Sequence, residues 1–134
     1  MKTSGILHPQ LVRILAEIRH KDTIVIGDAG LPVPDGVERV DLDFIPGQLP
    51  YLDVLKAVLQ EQNNNFEAAV FADEAKTVSP DFHRKALALL PDGIDISYVP
   101  HVQLKEMSGD AKAIILTGEF TPYTNVILRS GCAY

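Results

Sequence analysis

The chain has 134 residues, 46% hydrophobic and 22% charged, with a net charge of −6, so one domain over 1–134 with a sizeable core is expected. The acidic balance argues against a nucleic-acid partner, whose phosphates call for a basic face, and against an anionic membrane surface. The sole cysteine, Cys132, rules out an intrachain disulfide and a multi-cysteine metal site, which fits the cytoplasm, as does the lack of a secretory signal or of any apolar run near the roughly 20 residues a membrane span needs.

Leu11, Ile14, Leu15 and Ile18 recur at helical spacing behind Pro9, which predicts a helix over 9–19 that ends near His20. Thr23-Ile-Val-Ile-Gly27 is short, β-branched and uncharged, as a strand buried on both faces should be. Two prolines and two glycines make 29–36 a loop. A strand over 37–42, a helix over 51–60 and an exposed turn at Asn63-Asn-Asn65 follow. Next come a strand over 67–72 and a helix over 80–90, with Ser79 as its N-cap and Pro80 in its first turn. Beyond Pro91-Asp-Gly93 the pattern gives a strand over 94–99, a short helix over 101–107 and a buried strand over 113–117. Residues 125–128 are expected to complete the sheet. This alternation indicates an α/β protein of three layers, α/β/α, with a mostly parallel, mixed sheet.

Two stretches concentrate chemistry. His20 and Asp28 flank the first strand, and Tyr123, Thr124 and Asn125 follow Pro122 in a loop rich in hydroxyls. His20 reads either as a partner for the carbonyls at the end of the first helix or as a general acid, since histidine reaches both protonation states near neutrality. Asp28 stands at the carboxyl end of a strand, the usual ligand crevice of parallel α/β sheets, but also where an Asx-turn would close the loop. His101, at a strand-to-helix junction, is a helix-start residue or a second imidazole at the site. The 123–125 run is a β-turn or a polyol-binding element. Glu74, Lys76 and His83 are either a polar cluster or a solvated helix face, and Cys132 is read as a structural thiol. No phosphate-loop, dinucleotide or nucleophile-elbow motif is present, and the four dispersed histidines disfavour a metal site.

His20, the loop Asp28-Ala-Gly-Leu-Pro-Val-Pro34, Val40-Asp-Leu42 with Pro46-Gly47, and Thr117-Gly-Glu-Phe-Thr-Pro-Tyr-Thr-Asn125 together resemble the ribose branch of the RbsD/FucU sugar mutarotase family, over essentially the whole chain. The resemblance implies a cofactor-independent isomerase that opens and recloses the ring of D-ribose, interconverting its β-pyranose and β-furanose forms for ribose catabolism. It implies His20 as the proton donor, with Asp28, His101, Tyr123, Thr124 and Asn125 binding the monosaccharide. It also implies a homo-oligomer, a decamer of two pentameric rings, with the site near a subunit boundary. Arg19 stands where the family usually has glycine, and Thr124 where alanine is common. These would add charge beside His20, and a methyl and hydroxyl beside the sugar. The rival readings are a mutarotase for another sugar such as L-fucose, and a non-catalytic monosaccharide-binding module.

Overall fold

In the computed structural model, which describes residues 1–134, Ile24, Val25 and Ile26 are wholly buried because their strand lies inside a six-stranded sheet. The chain runs α1 (Pro9–Glu17), β1 (Thr23–Gly27), β2 (Glu38–Asp41), α2 (Tyr51–Glu61), β3 (Phe66–Ala72), α3 (Ala75–Val78), α4 (Pro80–Leu89), β4 (Asp95–Val99), α5 (His101–Met107), a single 3-10 turn (Ser108–Asp110), β5 (Ala113–Leu116) and β6 (Val126–Ser130). Strand order is β2-β5-β1-β6-β3-β4. Every neighbouring pair is parallel except those of β6, which runs antiparallel to both β1 and β3. The last strand therefore completes the sheet from its middle.

Alternation along β1 sorts the core into two halves. Ile24 and Ile26 face a cluster built from Leu11, Ile14 and Leu15 of α1, Val54, Leu55 and Val58 of α2, and Ala86 of α4. Val25 faces the other way, with Ile114, Ile127, Leu31 and Leu104 of α5. Each buried Leu, Ile or Val side chain here contributes about 1.5–3 kcal/mol of hydrophobic stabilisation. The helices and the 29–36 loop thus pin the sheet from both sides, and no helix is long and apolar enough to cross a membrane.

Two local expectations are corrected. Ser79 does not cap α4 with its side chain; its hydroxyl donates to the Pro122 carbonyl at 2.6 Å, while its own carbonyl accepts from the His83 N–H. The one-turn α3 just before it, too short to show a periodicity, ends on Ser79 and turns the hydroxyl toward that loop. Nor is His83 on a solvated face. It is buried, edge-on to Phe71 at 4.9 Å, with Nε2 2.6 Å from the Tyr98 hydroxyl.

Candidate active site

At the carboxyl end of β1 the chain leaves the sheet through Asp28. Its backbone N–H donates to Asn125 Oδ1 at 3.0 Å, and its own Oδ1 accepts from the Gly30 N–H at 2.9 Å. The second bond is the Asx-turn; it leaves the carboxylate at the mouth of a crevice of about 300 Å³, so the structural and ligand-facing readings of Asp28 coexist. Burial pushes the Asp28 carboxyl above its usual range. The Gly30 N–H and the Asn125 side chain oppose the shift, and the charge of Glu119 adds to it.

His101 begins α5. Pro100 before it offers no capping side chain, and both carboxylate oxygens of Glu74 instead accept from the His101 N–H, at 3.0 and 3.1 Å. The imidazole stands edge-on to Tyr123, 5.0 Å between ring centres. Burial lowers its pKa, with Lys105 acting in the same sense and Glu74 and Asp28 against it. Tyr123 occupies a left-handed backbone conformation, φ 59°. Its turn is fastened by the Ser79 bond to Pro122 and by the Thr124 hydroxyl, which donates to the Thr121 carbonyl at 2.8 Å. Thr124 is buried and its hydroxyl donor is committed to that turn, so it shapes the turn from within.

Two of the three buried side-chain polar atoms without a hydrogen-bond partner belong to this end of the sheet: His101 Nδ1 and Asn125 Nδ2. Native interiors leave few such atoms, because an unpaired buried donor or acceptor costs about 1–3 kcal/mol. Hydroxyls, which both donate and accept, are the kind of group that pairs with an imidazole nitrogen and an amide N–H of this sort.

Glu119 is a residue that sequence reasoning did not single out. It is buried beside Asp28 in the same crevice and accepts from the Tyr51 N–H at 3.2 Å and the Thr121 hydroxyl at 2.9 Å, tying the start of α2 to the site loop. The signal was available as the only charge between a buried strand and a run of hydroxyls. Gly118 beside it allows a close approach, since a Cβ there would lie 1.8 Å from the Gln48 carbonyl oxygen.

His20 is placed elsewhere. It lies in the turn before β1, at the opposite edge of the sheet, with Nε2 3.1 Å from Glu67 Oε2; Glu67 Oε1 in turn accepts from Arg129 at 2.8 Å. The five residues of β1 separate it from Asp28 by about 16 Å along the strand. One chain brings Asp28, His101, Tyr123 and Asn125 together and leaves His20 apart. The carbonyls at the end of α1 are met by Arg19, whose guanidinium donates to Ala16 at 2.8 Å and Ile18 at 3.2 Å. That takes the helix-end role considered for His20 and pins the charge of Arg19 to the helix.

Residues 1–133 match the sequence model of the RbsD / FucU transport protein family. The D-ribose pyranase of Geobacillus kaustophilus (strain HTA426) is 47% identical over 134 residues, covering all of this chain and 96% of its own length. The structure of Bacillus subtilis RbsD complexed with D-ribose superposes with a TM-score of 0.93 at 41% identity, over the whole of both chains. The fucose mutarotase of Streptococcus pneumoniae, solved in complex with L-fucose, shares the fold: its TM-score is 0.73 at 22% identity, over 96% of this chain and 95% of that one.

Proposed function

Because this chain belongs to the RbsD / FucU transport protein family, we propose that the crevice beside Asp28 binds D-ribose and that the protein is an isomerase interconverting the β-pyranose and β-furanose forms of that sugar. The observation that carries the reading is a crevice of about 300 Å³ lined by the carboxylates of Asp28 and Glu119, with the His101 imidazole and the Asn125 side chain set next to Asp28. A 41–47% likeness to ribose proteins, against 22% for the fucose mutarotase, favours ribose as the substrate.

Opening the hemiacetal requires a proton delivered to the ring oxygen as the C1–O bond breaks, and one withdrawn from the anomeric hydroxyl as the aldehyde forms. Rotation and reclosure through a different hydroxyl reverse the two transfers. His20 is the acid. His101, or a water it holds, is the base, and burial, which keeps its imidazole neutral to lower pH, suits that role. Asp28, Tyr123 and Asn125 hold the sugar hydroxyls, and Thr124 supports them through the turn.

His20 reaches this sugar only from a second copy of the chain. An oligomer in which the amino edge of one sheet meets the carboxyl edge of another satisfies that need, and a decamer of two pentameric rings is the assembly we propose, working in the cytoplasm. Exposed apolar side chains support an interface close to the crevice: Phe120 in its wall is 69% exposed, and Phe44 is 84% exposed in the loop that Gly118 holds.

NMR saturation transfer between the pyranose and furanose signals of D-ribose tests the activity. Catalytic amounts of protein should accelerate exchange for D-ribose and not for L-fucose. Saturable ribose binding without faster exchange would instead identify a carrier or sensor.

A further inference from the structure

We propose that Glu67, clamped by Arg129, is a positioning residue that holds His20 through Nε2 and thereby makes Nδ1 the nitrogen that exchanges its proton with the sugar. This deepens the reading of His20 as the acid and rests on it.

The arrangement is written into the sheet. The β3–β6 ladder pairs Phe66 with Ser130 but Ala68 with Arg129, so Glu67 is the extra residue of a β-bulge. Bulges re-aim a side chain that regular alternation would send elsewhere. Here Glu67 shares the place of Arg129 in the ladder, and the two side chains pair. The His20 turn is fastened to the same stretch of β6 by backbone bonds, Lys21 N–H to the Ser130 carbonyl at 2.9 Å and Ser130 N–H to the Asp22 carbonyl at 2.8 Å. Lys21 takes a left-handed conformation, φ 71°, so the chain reverses sharply beside His20. Backbone on both sides thus fixes where the imidazole meets the carboxylate.

The charges around the ring leave Glu67 as its one bonded partner. Arg19 is turned back onto the carbonyls of α1; Lys21 and Asp22 share the turn, with Lys112 approaching Asp22 to 3.9 Å; Arg129 bonds the far oxygen of Glu67. The bond from His20, ahead of that from Arg129, holds the Glu67 carboxyl below its usual range. All three side chains are roughly a third to a half exposed, and pairs of that kind add little to stability. The geometry is therefore worth more to the imidazole than to the fold.

When His20 is protonated, Nδ1 gives its proton to the ring oxygen as the C1–O bond breaks, and the neutral ring keeps its Nε2–H on Glu67. On reclosure Nδ1 takes a proton back from the attacking hydroxyl. Glu67 itself neither gains nor loses one.

The test is steady-state exchange kinetics on the assembled protein with E67A, E67Q, R129A, E67A/R129A and H20A. Partners that orient metal-bound histidines cost about 10–100-fold in activity when lost; taking that as the scale for an oriented imidazole, E67A should lower kcat in that range with KM for ribose unchanged. E67Q, whose amide oxygen still accepts from Nε2–H, should recover much of it. R129A should lose less, and nothing further once Glu67 is gone. Ring ¹⁵N shifts should show Nε2–H alone in the wild type and a mixture of tautomers in E67A. Wild-type kcat in both E67A and E67Q, with exchange lost in H20A, would overturn the inference and leave the acid role of His20 standing. So would a loss confined to KM. Full exchange in H20A would overturn both.

Discussion

The two edges of the sheet hold opposite kinds of polar group. At the amino edge His20, Glu67 and Arg129 are partly exposed and bonded to one another. At the carboxyl edge Asp28, His101 and Asn125 are drawn into the protein, and two of their atoms are left without partners. The first arrangement needs no ligand to satisfy it. A single strand, β1, carries one residue of each kind at its two ends, too far apart to act on one small sugar.

Joining these edges in trans is the boldest consequence. H20A should lose about 10²–10⁴ in exchange rate, the usual contribution of a general acid, while ribose binding stays near wild type. D28N should be comparably inactive through weakened binding. Dissociating and reassembling equal amounts of the two should restore about a quarter of wild-type activity, because in a random ring one boundary in four pairs an intact His20 with an intact Asp28. No recovery in verified mixed oligomers would place both residues in the same chain's chemistry.

Within the carboxyl edge, N125A removes an unpartnered donor and also the acceptor of the Asp28 N–H. Its affinity for ribose, measured by calorimetry, should fall by about 1–3 kcal/mol, or roughly five- to 150-fold. An unchanged affinity would mean that Asn125 serves the fold alone.

The pH dependence sharpens the contrast between the imidazoles. The folded-state pKa of His101 is lowered from 6.5, chiefly by burial. As a base it must be neutral, so the activity it supports is present at and above pH 6.5 and is lost as pH falls through the lowered value. Lys105 pushes in the same direction as burial, so K105M should move that acid limb to higher pH; movement to lower pH would contradict the assignment. The same sign governs stability. Below 6.5 the unfolded chain takes up the proton first, and the contribution of His101 to folding falls with pH.

The smallest effect is expected for R19A. The guanidinium serves the end of α1 and makes no bond to His20, so thermal denaturation should register about 0.5 kcal/mol or less. The preference for ribose over fucose should not change. A switch in sugar preference would show that Arg19 reaches the site across the subunit boundary.

Most of the fold is legible in the sequence where one residue pattern has one physical solution. β1, the start of α1 and the boundaries of α2, α4 and α5 follow from apolar spacing and from Pro, Gly and Asn punctuation, including the left-handed Asn63 and Asn64, whereas α1 stops at Glu17, two residues before the expected Arg19, because Ile18 is already extended. α3 is not legible, because four residues carry no period, and the role of Ser79 changes with it. Nor is the central place of β6, since periodicity says nothing of which strands become neighbours. The site divides in the same way. Asp28, His101, Tyr123 and Asn125 all stand at ends of strands or helices on one edge, so locating the elements locates the residues. That the Thr124 hydroxyl gives its donor to the Thr121 carbonyl is not legible in the same way, because it depends on how the turn closes.

The amino-acid sequence by itself determined the layers, the core and the chemical inventory, because burial and periodicity act over a few residues at a time. Only the tertiary structure decided that β6 fills the middle of the sheet, that a bulge turns Glu67 onto His20, and that Glu119 sits beside Asp28. Those outcomes rest on strand order, register and loop closure, which bring together residues tens of positions apart and which no local pattern encodes.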